Sequence, residues 1–263
     1  MELDGAPVTA ADLATLALTG YGHFTTMAVA DLRVRGLGLH LDRLARDCRA
    51  LFGVDLAADR VVPLVRRVAA RVAGPATVRV TVFDPGLELA RPERADRPRI
   101  LVTARPAPDV AAVPPLRVRP VRYVRDLPDV KHTGLLGALW QRRSARAAGF
   151  DDALLVTADG HLAEGPTWNV GVVRDGRVRW PAARRLPGVT ECLLRRLLDE
   201  AGVDHRTTDV KVAELSGRTA VFATSAVVGV RPVGTVDDVV LGVDPVVAEL
   251  GRAYRALPGE PLD

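Results

Sequence analysis

Residues 129–169 read DVKHTGLLGALWQRRSARAAGFDDALLVTADGHLAEGPTWN, and the order of three side-chain chemistries within this stretch decides the fold. Lys131 comes first, the carboxylate Glu164 follows, and the amide Asn169 closes the run. The chain has 36 basic residues, and all but Lys131 and Lys211 are arginine. Arginine serves wherever a fixed charge or a salt bridge is wanted, so a lysine kept in such a composition points to chemistry a guanidinium does not perform. An amine sheds its proton and attacks a carbonyl. Lys211 is read as structural. Between Lys131 and Glu164, Leu136, Leu139, Trp140 and Arg143 recur at helical spacing and Gly149 stops the helix. Asp159-Gly160 then marks a hairpin turn, which sets Glu164 to Asn169 on a strand-loop.

Outward from this stretch, 263 residues exceed the usual single-core size, and two domains are expected. Pro106, Pro108, Pro114 and Pro115 mark the boundary, giving an N-terminal domain over 1–108, a linker over 109–125 and a C-terminal domain over 126–263 that carries Lys131. With apolar residues at 48% and aromatics at 4%, the cores are expected to be built from Val, Leu and Ala. Cys48 and Cys192 fall on apolar stripes and read as small buried hydrophobes in a reducing, cytoplasmic setting. The N-terminal residues lack the pattern of a signal peptide, and no apolar run is long enough for a membrane span. The net charge of +4 comes from arginines interleaved with 32 acids, which argues against a nucleic-acid partner. The run Arg142, Arg143 and Arg146 is expected to be a solvated helix face, and no metal site is expected.

The remaining periodicities define the α/β (α+β) class. Leu41, Leu44, Ala45, Cys48 and Leu51 form one helical stripe, with His40 and Arg43 off it. Val61, Leu64, Val65, Val68 and Val72 form a second, with Pro63 placed in its first turn. Val78, Val80 and Val82 alternate with polar residues as a strand does, and residues 100–103 supply another. Asp175-Gly176 signals a second hairpin. Leu194, Leu197, Leu198 and Ala201 give a helix preceded by Gly188-Val189-Thr190. Strands follow near 207–212, 220–223 and 227–233, and 246–254 closes as a helix.

In that order and spacing, Asp129-Val130-Lys131, Leu135-Leu136-Gly137, Glu164-Gly165, Asn169, Leu186-Pro187-Gly188-Val189-Thr190 and Thr224-Ser225 resemble the fold-type IV pyridoxal-phosphate-dependent enzymes, the class-IV aminotransferase family. His23-Phe24-Thr25-Thr26-Met27 and His40-Leu41-Asp42-Arg43-Leu44 fit the same family, so the resemblance covers nearly the whole chain. It implies a two-domain enzyme with a smaller N-terminal and a larger, β-rich C-terminal domain, acting as a homodimer on small amino and keto substrates. It also implies pyridoxal 5'-phosphate as cofactor, joined to Lys131 as a Schiff base, with that amine later shuttling the substrate proton. Glu164 then serves the pyridine nitrogen with Asn169 beside it, Arg43 reaches the phosphate, and Gly188, Val189, Thr190, Thr224 and Ser225 grip it.

The sequence also departs from the pattern. The branched-chain branch has tyrosine where Leu136 stands, as the D-amino-acid transaminase and aminodeoxychorismate lyase branches do not, and these two are expected to be nearest. Their relatives carry asparagine at the position of Gly134 and arginine at that of Glu191, and Phe83-Asp84-Pro85-Gly86 lacks the Arg and His cluster that traps the substrate carboxylate in the D-amino-acid branch. Aminotransfer is the first expectation. Elimination of pyruvate by a lyase on the same scaffold is the alternative, and a catalytically silent homologue is a third.

Overall fold

Alternating runs become strands and 3.6-period runs become helices in the computed structural model, which describes residues 1–110 and 113–263. The first strands are β1 (Glu2–Leu3), β2 (His23–Ala30), β3 (Arg33–Val34), β4 (Ala76–Phe83) and β5 (Arg99–Pro106). They are followed by β6 (Leu116–Arg122), β7 (Asp152–Val156), β8 (Leu162–Glu164), β9 (Asn169–Arg174) and β10 (Arg177–Pro181). The last are β11 (His205–Thr208), β12 (Ala220–Ser225), β13 (Gly229–Val236), β14 (Val239–Val240) and β15 (Glu260–Pro261). The helices are α1 (Ala10–Thr19), α2 (Leu37–Phe52), α3 (Ala58–Ala69), α4 (Leu136–Ala147), α5 (Val189–Glu200) and α6 (Pro245–Ala256). The chain forms two compact units. The first holds Met1–Pro108, Val130–Gly134 and Pro258–Asp263, and the second holds Asp109–Asp129 and Leu135–Leu257. Within 109–125, the stretch expected as a linker, Leu116–Arg122 is the strand β6, and residues 111 and 112 lie outside the described residues.

The first unit is a six-stranded sheet in the order β1-β5-β4-β2-β3-β15, antiparallel throughout. Successive side chains alternate between its faces. Val78, Val80 and Val82 turn to one face with Met27 and pack on Leu44 and Cys48 of α2 and Val61 and Val65 of α3. Phe24, Thr26, Arg79 and Thr81 occupy the other face by register. Pro63 sits inside α3 instead of in its first turn, because the helix already begins at Ala58. The cost is one main-chain bond, since proline offers no N–H to the carbonyl four residues back.

In the second unit β9, β12, β13, β6, β7 and β8 follow one another around a closed ring, completed by the β9–β8 pairing, with β10 and β11 extending it from β9. Leu154, Leu162, Trp168, Val170, Val221, Ala223 and Val233 fill the inside. Helices α4, α5 and α6 lie against the outside, on β7, β12 and β13. Asp175 and Gly176 both take positive φ, 53° and 70°, the backbone of the expected Asp-Gly hairpin. Cys48 is fully buried, whereas Cys192 is only half-buried at the start of α5. On α4 the apolar stripe faces outward: Leu136, Leu139 and Trp140 are 83%, 45% and 61% exposed, and the small Ala138 and Ala145 are the buried positions. Among the described residues no helix is long and apolar enough to cross a membrane.

Candidate active site

The candidate residues divide between the units, with Lys131 and Arg43 in the first and Glu164, Asn169, Gly188, Val189, Thr190, Thr224 and Ser225 in the second. In the first unit the main chain around Lys131 is laced to β2 and α2. Its N–H donates to the fully buried Asp47 at 2.9 Å, its C=O accepts from the Phe24 N–H at 2.9 Å, and the Thr133 N–H donates to Gly22 O at 2.8 Å. A residue held on both backbone groups presents its side chain from a fixed root. The Lys131 amine lies 4.9 Å from the centre of the Phe24 ring, and the Arg79 guanidinium lies 3.7 Å from the same ring. Arg79 is half-buried and its Nε donates to Thr81 Oγ1 at 3.1 Å. The sequence reading missed both Asp47 and Arg79. The signal for Arg79 was present, as a lone charge in the otherwise apolar and hydroxylic strand from Ala76 to Phe83.

Arg43 is not on a solvated helix face; it is 5% exposed. It donates to Thr25 Oγ1 and lies 3.3 Å from His40 Nδ1, while Thr25 Oγ1 and His40 Nδ1 are 2.7 Å apart. Burial first, then the charges of Arg43 and Lys131, push the His40 pKa well below its ordinary value. His23, fully buried, falls to about 3 through burial and then Arg43, and neither of its ring nitrogens has a hydrogen-bond partner among the described residues. Both rings are therefore neutral, and positive charge gathers around them on Arg43 and Lys131.

In the second unit, register builds a row. Glu164 of β8 stands opposite Asn169 of β9, and Asn169 stands opposite Thr224 of β12. Neighbouring strands are about 4.8 Å apart, so the row runs about 9.6 Å from acid to hydroxyl. Its neighbours Val170 and Ala223 belong to the interior cluster, which puts Asn169 and Thr224 on the outer face of the ring. Glu164 joins them because the β7–β8 register shifts between Leu155 and Val156, so that Glu164 aligns with the outward Leu155. An irregularity of this kind re-aims a side chain. All three are buried, at 6%, 5% and 1% exposure.

At the hydroxyl end of the row α5 begins. Gly188 caps it without a side-chain bond, and the first N–H groups of any helix lack intrahelical acceptors. A Cβ on Gly188 would lie 1.9 Å from Asn169 Oδ1, so only glycine lets the helix start approach the row this closely. The Asn169 amide donates to Leu186 O at 2.7 Å, fixing the turn before the helix. Thr190 is buried, with its hydroxyl 3.5 Å from the Tyr254 hydroxyl. Thr224 Oγ1 is a buried hydroxyl with no partner among the described residues. Ser225 is different. Strand alternation sends it to the inner face, where its Oγ accepts from the Val228 N–H at 3.3 Å.

Two charged partnerships in this unit were not foreseen. Arg125 Nε donates to Glu164 Oε1 at 2.8 Å in a pair whose side chains are 6% and 8% exposed, and Arg125 also donates to Pro128 O at 2.7 Å. Glu191, in the first turn of α5, accepts from Arg185 at 2.5 Å and from Arg195 at 2.9 Å. Arg125 meets Glu164 across 39 positions, a pairing only the fold reveals, whereas Arg195 stands four residues after Glu191 on α5, a spacing the sequence itself offers.

The outer row fits a phosphorylated pyridine. A buried carboxylate stands at one end, and at the other a helix start, a glycine-sized gap and an unpartnered hydroxyl supply donors suited to a phosphate.

Residues 22–236 match the family model described as Amino-transferase class IV. A 101-residue stretch, 38% of this chain, is 29% identical to a protein of Rickettsia felis named "Probable branched-chain-amino-acid aminotransferase", and the match spans 35% of that protein's length. The solved branched-chain aminotransferase of Thermoproteus uzoniensis, crystallised with norvaline, superposes with a TM-score of 0.84 at 23% identity, covering 97% of this chain and 92% of that one. The fold IV-transaminase CpuTA1 of Curtobacterium pusillum superposes at 0.79 with 27% identity over 96% and 92%. The two-sheet α/β architecture is thus that of fold-type IV. The D-amino-acid and lyase branches that Leu136 suggested do not stand out among these matches, two of which carry the branched-chain name.

Proposed function

The chain belongs to the class IV amino-transferase family, and on that premise we propose that it is a pyridoxal-phosphate-dependent aminotransferase, moving an amino group between an α-amino acid and a keto acid. The observation that carries this reading is the outer row of Glu164, Asn169 and Thr224 running into the start of α5, with the Thr224 hydroxyl buried and unpartnered among the described residues. In this reading Lys131 holds the cofactor covalently, Glu164 holds the proton of its ring nitrogen, and Thr224, Thr190 and the N–H groups after Gly188 hold its phosphate together with Arg43. When bound, the cofactor supplies an electron sink for the pair left at the substrate Cα after deprotonation.

The protein's own residues do the rest. The Lys131 amine, rooted by Asp47 and Phe24, takes the proton from Cα and returns it elsewhere on the reacting system. A carboxylate has about four lone-pair sites, so an ion pair with Arg125 is compatible with acceptance of a ring N–H by Glu164. Arg79, sharing the Phe24 ring with Lys131, is the group we assign to the substrate carboxylate, since a guanidinium matches a carboxylate in shape and charge. Arg79→Ala is accordingly expected to raise KM for the amino acid at least tenfold with a smaller change in kcat, measured by steady-state kinetics; an unchanged KM would remove Arg79 from the site.

The names of the relatives support aliphatic, branched-chain amino acids as the first substrates to try. A second copy of the chain belongs to the proposal too, because Leu136, Leu139 and Trp140 form an exposed apolar stripe at i, i+3, i+4 spacing. The decisive experiment loads the full chain with pyridoxal phosphate, fixes it with borohydride and maps the labelled peptide, then offers leucine, isoleucine, valine and D-alanine with 2-oxoglutarate. Label on Lys131 and formation of glutamate are expected. Release of pyruvate from aminodeoxychorismate with no amino transfer from any donor would put the lyase reading in its place.

A further inference from the structure

On the other side of the wall that carries the row, the second unit contains a cavity of about 540 Å³. Its lining runs from Trp168, Ala223 and Ser225, on the inner side of the ring, to Arg146 and Phe150 at the end of α4. Two carboxylates and several guanidiniums meet there, and their pairing is unequal. Asp152, 5% exposed, is saturated: Arg142 donates to it at 3.0 and 2.7 Å, the Trp168 indole N–H at 2.9 Å and the Ala153 N–H at 2.8 Å. Asp151 is matched by Arg117 through two guanidinium contacts at 3.3 and 3.1 Å and the main-chain N–H at 2.8 Å.

That leaves Arg146 and Arg231, which also line the cavity. Each uses its Nε on a main-chain carbonyl, Arg146 on Asp151 O at 3.0 Å and Arg231 on Pro114 O at 2.8 Å. Neither has a carboxylate within ion-pair distance among the described residues. Among the described residues their terminal NH2 groups have no protein acceptor, though the charges of Asp151 and Asp152 reach Arg231, and each fork is anchored by the Nε bond behind it. Two anchored forks with surplus positive charge, set beside the rings of Trp168 and Phe150, make a wall for an anion with an apolar body.

We infer that this cavity is a second binding site, for a small organic oxyanion whose carboxylate or phosphate is taken by Arg146 and Arg231. It is separate from the cofactor row, because Ala223 and Ser225 line the cavity while Thr224 between them faces the other side of β12.

Isothermal titration calorimetry on the cofactor-loaded full chain, with phenylacetate, phenyl phosphate and inorganic phosphate as probes, tests this. Loading first blocks the phosphate-binding row. One site per chain is expected for at least one of the two aromatic anions, tighter than for inorganic phosphate and weakened by salt. Phenylacetate against phenyl phosphate tells which oxyanion is preferred. In R146Q/R231Q that affinity is expected to fall at least tenfold while the absorbance of the bound cofactor is unchanged. Arg146 is exposed on α4, so R146Q alone keeps the fold and is expected to lose at least threefold if the double variant does not fold. Absence of binding by every probe overturns the inference, and so does binding that the arginine variants leave unchanged. Neither result touches the aminotransferase reading, whose readouts are the Lys131 label and glutamate formation.

Discussion

At the scale of single residues the structure replaces isolated candidates with partnerships. Glu164 shares a buried ion pair with Arg125, and removing one partner of such a pair strands the other charge away from water. Arg125→Ala is therefore expected to cost about 3–5 kcal/mol of stability in urea unfolding, with part of the loss recovered in the double variant Arg125→Ala/Glu164→Gln, where no unpaired carboxylate remains. His23 gives a pH prediction of definite sign. Burial lowers its pKa from 6.5 to about 3, so the folded chain keeps the ring neutral over a range in which the unfolded chain takes a proton. Above pH 6.5 neither state binds that proton and the fold has its full stability. Between 6.5 and about 3 the unfolded state gains, and stability falls by up to about 1.4 kcal/mol per pH unit for this group, with His40 acting in the same direction. Unfolding midpoints of wild type and His23→Leu across this window check the sign: the variant is expected to have the shallower slope.

At the scale of elements, one irregularity and one helix start make the candidate site. The register shift between β7 and β8 turns Glu164 outward to join Asn169 and Thr224, and α5 brings its first turn to the same face because Gly188 has no side chain to keep it off Asn169. Thr224 separates a structural role from a binding role. Its hydroxyl is buried without a partner among the described residues, a state that costs about 1–3 kcal/mol, so Thr224→Val is expected to leave the cofactor-free protein as stable or more stable. The same change is expected to weaken retention of pyridoxal phosphate, read by absorbance after dialysis. Loss of stability with undiminished retention would mean that the hydroxyl serves the fold and not a ligand.

At the scale of the molecule, each unit has its own core. Leu44 lies in a cluster drawn wholly from the first unit and Leu162 in one drawn wholly from the second, both at 1% exposure or less. Leu44→Ala and Leu162→Ala are each expected to cost about 2–5 kcal/mol. Because the clusters share no residue, the double variant is expected to lose the sum to within about 0.5 kcal/mol, and urea unfolding of the three variants checks it.

The sequence by itself determined the helices after α1 and most of the strands, and through its resemblance the family, with Lys131, Glu164 and Thr224 as candidates. The signals for the elements are local, a period of two or 3.6 and an Asp-Gly turn, and Lys131 stood out as a lysine kept where arginine is the rule. It also set expectations that local reasoning could not decide. Pro63 looked like a first-turn residue because propensity does not fix where a helix begins, and Leu136, Leu139 and Trp140 looked like a helix stripe without saying whether it faced in or out. Only the tertiary structure decided that Arg43 is buried against Thr25 and His40, that Ser225 turns away from Thr224, and that Asp47, Arg79 and Arg125 accompany the candidates. The physical reason is sequence distance. Asp47 meets Lys131 across 84 positions and Arg125 meets Glu164 across 39, and pairings that close such loops are fixed by sheet register and burial, which no window of neighbouring residues encodes.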